Sequence, residues 1–136
     1  MTTERVEYNK QLFALIIWGK EKESGIKFYT PDENALQVGY HNYLKGKAIN
    51  PHRHRPVKIE RHETMQEVLY VTRGVLKILF YTEDGQKFAE KLLAVGDTAV
   101  MIAGGHGYEM MEDTEFLEVK QGPYNPESKK SLSIKS

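Results

Sequence analysis

The sequence predicts an all-β fold, a sandwich or barrel with little helix, and three observations carry that expectation. Short segments rich in Val, Ile, Leu, Tyr and Phe recur from residue 26 onward. Turn chemistry separates them every ten or so residues. No window of ten or more residues places apolar side chains at i, i+3, i+4 and i+7, a short turn in the first eleven residues excepted.

In chain order, the apolar run from Leu12 to Trp18 reads as a buried strand stopped at Gly19. Further strands are expected at Lys27–Tyr29, Ala35–Tyr43, Ala48–His54, Glu67–Thr72, Val75–Tyr81, Lys87–Leu93, Thr98–Ala103 and Glu115–Lys120. Their stops are Pro31-Asp32, Lys45-Gly46, Arg73-Gly74, Asp84-Gly85 and Gly96-Asp97. Asp84-Gly85 is the strongest hairpin signal, because Gly takes positive φ freely and Asp tolerates it. The polar stretch from Glu127 to Ser136 is expected to fray or, second, to pair with a neighbouring chain as an edge strand.

At 136 residues, with no linker or internal repeat, the chain reads as one domain. Nineteen basic and nineteen acidic residues cancel, and the basic ones are scattered, which argues against a nucleic-acid partner. The seven-residue run at Leu12 falls far short of the ~20 apolar residues of a membrane span. The absence of Cys leaves His and carboxylates as metal ligands and fits a cytoplasmic location.

Five histidines stand at 41, 52, 54, 62 and 106. On a strand, His52 and His54 would share a face and reach one metal ion from one wall, with further ligands from other strands. Glu67, opening a strand, and His106, after Gly104-Gly105, are the candidates; a His₃Glu set with open positions suits Fe, Mn, Ni, Co or Zn. The plainer alternative is a solvated basic turn, since Arg53 and Arg55 flank the pair. His62-Glu63-Thr64-Met65-Gln66 lacks the second His of the helical zinc-protease motif, and Ala103-Gly104-Gly105-His106-Gly107 does not complete a dinucleotide loop. The glycines there suit a bend that aims His106 inward. His41 reads as an exposed strand residue; Glu118 and Lys120 either project into the barrel mouth or, on the plainer reading, lie on an exposed strand face.

These residues together resemble the cupin family. Gly46, five residues, then His52-x-His54 match the first half of its first motif, and Glu67, six residues, then Gly74 match the second. Twelve residues separate His54 from Glu67 where three or four are usual, which implies an inserted loop. Gly96 to His106 resembles the second motif, with Ile102 where Pro is usual and Met110 in place of Asn. A competing register, Glu60-x-His62-x4-Glu67, makes His62 the alternate ligand.

The likeness spans about residues 40–120 and extends distantly to small cupins that accompany bacterial polysaccharide genes. It implies a double-stranded β-helix, the jelly-roll barrel, and a divalent transition metal (Zn, Mn, Fe, Ni or Co) on His52, His54, Glu67 and His106. It also implies a homodimer and a small-molecule ligand. Three functions remain open: a metal-dependent isomerase, dioxygenase or hydrolase acting on a sugar or other small carbonyl or hydroxy compound; a metal-free sugar-nucleotide isomerase or epimerase with His54 or His106 as general base; and a non-catalytic binding or sensor module.

Overall fold

The computed structural model describes residues 3–60, 63–128 and 132–135. Among them the chain is all-β: ten strands and one 3₁₀ turn, at Pro126–Ser128. The first two strands, β1 (Thr3–Tyr8) and β2 (Gln11–Ile17), form a hairpin whose two-residue turn, Asn9-Lys10, holds both residues at positive φ. That geometry matches the twist of the flanking strands and is tolerated by Asn. The first eleven residues, the one place where the sequence permits a short helical turn, form strand: Val6 is buried, and the ladder to β2 overrides the charged composition of Thr-Glu-Arg-Val-Glu-Tyr.

The strands β3 (Gly25–Phe28) and β4 (Gly39–Asn42) pair as a small ribbon. The remaining six, β5 (Glu67–Arg73), β6 (Val75–Tyr81), β7 (Lys87–Ala94), β8 (Thr98–Met101), β9 (Gly105–Met110) and β10 (Glu115–Lys120), are distributed over two larger sheets. One has the order β1-β2-β8-β5-β10 and the other β7-β6-β9, every pairing antiparallel. After β5 the chain crosses to the smaller sheet at Gly74, returns at Gly96-Asp97, and crosses twice more through β9 and β10. The described sheets pack face to face and do not close into a barrel.

Strand periodicity explains the packing. Ala14, Ile16, Leu69, Val71, Ala99 and Met101 face inward from the larger sheet and meet Leu76, Ile78, Phe80 and Leu93 from the smaller. Burying each large aliphatic or aromatic side chain stabilises the fold by about 1.5–3 kcal/mol. The alternate residues Leu15, Ile17 and Val100 point the other way, where Tyr29 and Val38 from the β3–β4 region cover them. β2 and β8 thus carry two distinct faces.

The structure departs from the sequence expectations in several places. Ala48–His54 forms no strand; it belongs to an exposed stretch, residues 43–60, in which Pro51 and Pro56 remove ladder donors and Lys47, Arg53, Arg55 and Lys58 favour water. Ala35–Tyr43 contracts to β4, and Thr98–Ala103 to β8. The strand β9 was not expected, because Gly-His-Gly-Tyr-Glu-Met lacks strand composition; its ladder with β6 creates it. The tail is not frayed over 132–135: Lys135 N donates to Gly85 O at 3.0 Å, and a Cβ on Gly105 would strike Leu132.

Candidate functional site

Two of the expected site residues meet between the sheets, where β5 and β9 begin. Glu67 opens β5 on the inward face. His106 arrives from the other sheet: Gly104, at φ +73°, turns the chain, and β9 pairs His106 with buried Phe80, which sets its imidazole on the inward face. His106 Nε2 donates to Glu67 Oε1 at 2.8 Å. Gly104 is required there, since a Cβ would lie 2.1 Å from the Phe13 ring.

Two further residues complete the cluster. Tyr108, two positions along β9, stacks on His106 with ring centroids 5.1 Å apart and donates its hydroxyl to Glu67 Oε1 at 2.7 Å. Glu118, on β10, brings a second carboxyl beside that of Glu67. Strand register explains both: β9 sets Tyr108 opposite buried Ile78, and β10 sets Lys120 opposite Glu67 and Glu118 opposite Leu69, so Tyr108 and Glu118 share the inward face with Glu67. Glu118 and Lys120 are exposed, as expected, and lie on the side of β10 that borders the site.

The electrostatics follow from these contacts. The hydrogen bond from His106 holds the Glu67 carboxyl well below the usual carboxylate range, against a desolvation that opposes it. The hydrogen bond and negative charge of Glu67, with some burial, push Glu118 up. Two adjacent carboxyls do not both ionise readily, and the opposite shifts make Glu118 the more readily protonated of the two. Burial and the neighbouring carboxylate also push the Tyr108 phenol up, so it stays a donor.

With Nε2 turned to Glu67, Nδ1 is the ring nitrogen left for a ligand, and no partner for it occurs among the described residues. The His106 side chain is 30% exposed, so solvent or a small molecule reaches it. The site thus sets an imidazole oriented by one carboxylate beside a second carboxyl whose protonated form is favoured.

The other expected ligands lie elsewhere. His52 and His54 stand on the exposed 43–60 stretch, their rings 5.3 Å apart, with His52 Nδ1 3.0 Å from Asn50 O. The flanking basic residues keep this stretch solvated. No three His, Asp or Glu side chains among the described residues are arranged to hold a metal ion. The alternate ligand His62 lies outside the described residues. The donors present do not fit the four-ligand centre, and Glu67 Oε1 already accepts from both His106 and Tyr108. His41 sits on β4 with its ring 5.7 Å from that of Tyr43.

No protein-family model, no curated protein and no solved structure matches this chain. No helix among the described residues is long and apolar enough to cross a membrane.

Proposed function

We propose that this chain is a small cupin-type jelly roll that performs acid–base chemistry on a small carbonyl or hydroxy compound, a sugar or sugar derivative, at the His106–Glu67 pair. The observation that carries the reading is the 2.8 Å contact between His106 Nε2 and Glu67 Oε1, with Nδ1 left as acceptor. A histidine oriented by a carboxylate is suited to take a proton from carbon α to a carbonyl.

In the proposed step, His106 Nδ1 removes the α-proton, the C–H electron pair forms the carbon–carbon double bond of an enediol, and the carbonyl oxygen receives the proton of Glu118. Protonated His106 then delivers its proton to the neighbouring carbon while the other enediol hydroxyl gives its proton to the Glu118 carboxylate and becomes the new carbonyl, which forms the isomer and restores both groups. Glu67 stabilises the imidazolium that forms in between.

The test is deuterium exchange from D₂O into a panel of aldoses, ketoses and nucleotide sugars, followed by proton NMR. Loss of an α-proton signal with wild type, absent with His106→Ala, supports the reading. No exchange in any member with folded wild type overturns it. Elemental analysis of the same sample decides about a resident metal: a near-stoichiometric ion, lost in a His52→Ala/His54→Ala variant, would replace the metal-free reading and require the 43–60 stretch to fold onto the site.

A further inference from the structure

The outward face of the larger sheet carries a cavity of about 310 Å³, on the opposite side of β5 from Glu67. Its floor is Ile17, Val68 and Thr98, and Leu117 and Val119 form one wall. The β3–β4 region roofs it with Tyr29, Val38 and Tyr40. The volume lies within the range of small-molecule sites and equals that of about ten water molecules.

The lining specifies the class of ligand. Leu117 and Val119 are half-exposed, and Tyr70 beside them is 37% exposed, so the molecule leaves apolar surface uncovered at this mouth. The Tyr29 hydroxyl is bonded to Glu21 Oε2 at 2.6 Å, so this residue offers the cavity its ring rather than a polar group. One charged side chain, Lys20, stands at the rim. The neighbouring acid cannot neutralise it, because Glu21 already accepts from Tyr29 and from the amides of Lys22 and Glu23, and lies 3.4 Å from Lys27 Nζ. No acidic partner for Lys20 occurs among the described residues.

We propose that this cavity is a second binding site, for a small monoanion with an apolar body, an aromatic or branched aliphatic carboxylate, whose charge is met by Lys20. An apolar enclosure with a single cation at its rim favours a ligand with one anionic end over a neutral or polyhydroxylated one. The site is independent of the His106–Glu67 pair, which faces the other side of the same strands.

The test uses 8-anilinonaphthalene-1-sulfonate, an apolar body with one anion, and its uncharged relative N-phenyl-1-naphthylamine, both followed by fluorescence titration. Saturable one-to-one binding of the anionic dye is expected, competed by 2-naphthoate. Lys20→Gln should weaken the anionic dye about tenfold and change the neutral dye less than about twofold. Val119→Trp, at a half-exposed edge position, should block both dyes without loss of the β-sheet circular dichroism signal, and His106→Ala should leave both unchanged. Non-saturable binding, equal affinity in Lys20→Gln, or a dimer that excludes the dye by covering this face overturns the proposal.

Discussion

The rings of His106 and Tyr108 stack 28° from parallel, and both residues donate to the same oxygen, Oε1 of Glu67. A single acceptor thus fixes the position of the imidazole and of the ring that packs on it. This shared dependence makes Glu67 the residue whose loss disturbs the cluster most.

Glu67→Gln keeps the shape of the side chain but removes the charge that holds the imidazole and stabilises its protonated form. Proton exchange into substrate should fall by about 10²–10⁴-fold, the range for a general acid–base contribution. Tyr108→Phe removes one hydrogen bond and keeps the stacked ring. As a positioning residue it should lower kcat by about tenfold and leave KM nearly unchanged. Steady-state kinetics on the substrate found by NMR check both.

The paired carboxyls give stability a two-sided dependence on pH. Glu67 is held below its ordinary value, so its contribution is present above that value and is lost as pH falls through the depressed one. Glu118 is raised, so its contribution is full below its ordinary value and declines as pH rises through the raised one. Melting temperature should therefore pass through a maximum near the ordinary carboxylate range, and Glu118→Gln should flatten the decline on its alkaline side. Thermal melts at closely spaced pH values read this directly.

Gly104 and Gly96 separate two costs of a side chain. Both have positive φ, but a Cβ on Gly96 meets nothing within 4 Å, whereas one on Gly104 overlaps the Phe13 ring. Gly96→Ala should cost about 1–2 kcal/mol from backbone strain alone. Gly104→Ala should cost more and displace His106 as well, which urea denaturation and the exchange assay will register together.

Between the sheets, Phe80 and Leu69 are fully buried. Phe80→Ala should cost about 3–5 kcal/mol and Leu69→Ala about 2–5 kcal/mol, through lost transfer energy and the cavity left behind. Denaturant midpoints should shift with little change in slope.

The apolar strands were legible in the sequence because composition and turn residues agreed: β2, β5, β6, β7, β8 and β10 all lie where Val, Leu, Ile and flanking turn signals put them. β1 and β9 were not, since Thr-Glu-Arg-Val-Glu-Tyr and Gly-His-Gly-Tyr-Glu-Met become strands through their partners rather than their own propensity. Ala48–His54 shows the reverse, strand-like residues without a ladder among the described residues. For the site, Glu67 and His106 followed from motif spacing. Glu118 and Tyr108 join them through inter-strand register, which spacing along one chain does not encode. His52 and His54, expected beside them, stand instead on the exposed 43–60 stretch, where prolines and basic residues interrupt the strand-like composition.

The alternation along β5 and β10 also separates the molecule's mutational neighbourhoods. Odd positions of β5 (Glu67, Leu69, Val71) and even positions of β10 (Phe116, Glu118) look into the sandwich, while Val68, Tyr70, Leu117 and Val119 look out. A library confined to the outward set can remodel one chemistry on an unchanged backbone while leaving the other's side chains intact. A slip of one residue in either strand would exchange the two, so the register that makes these surfaces separately evolvable is also the feature neither can lose.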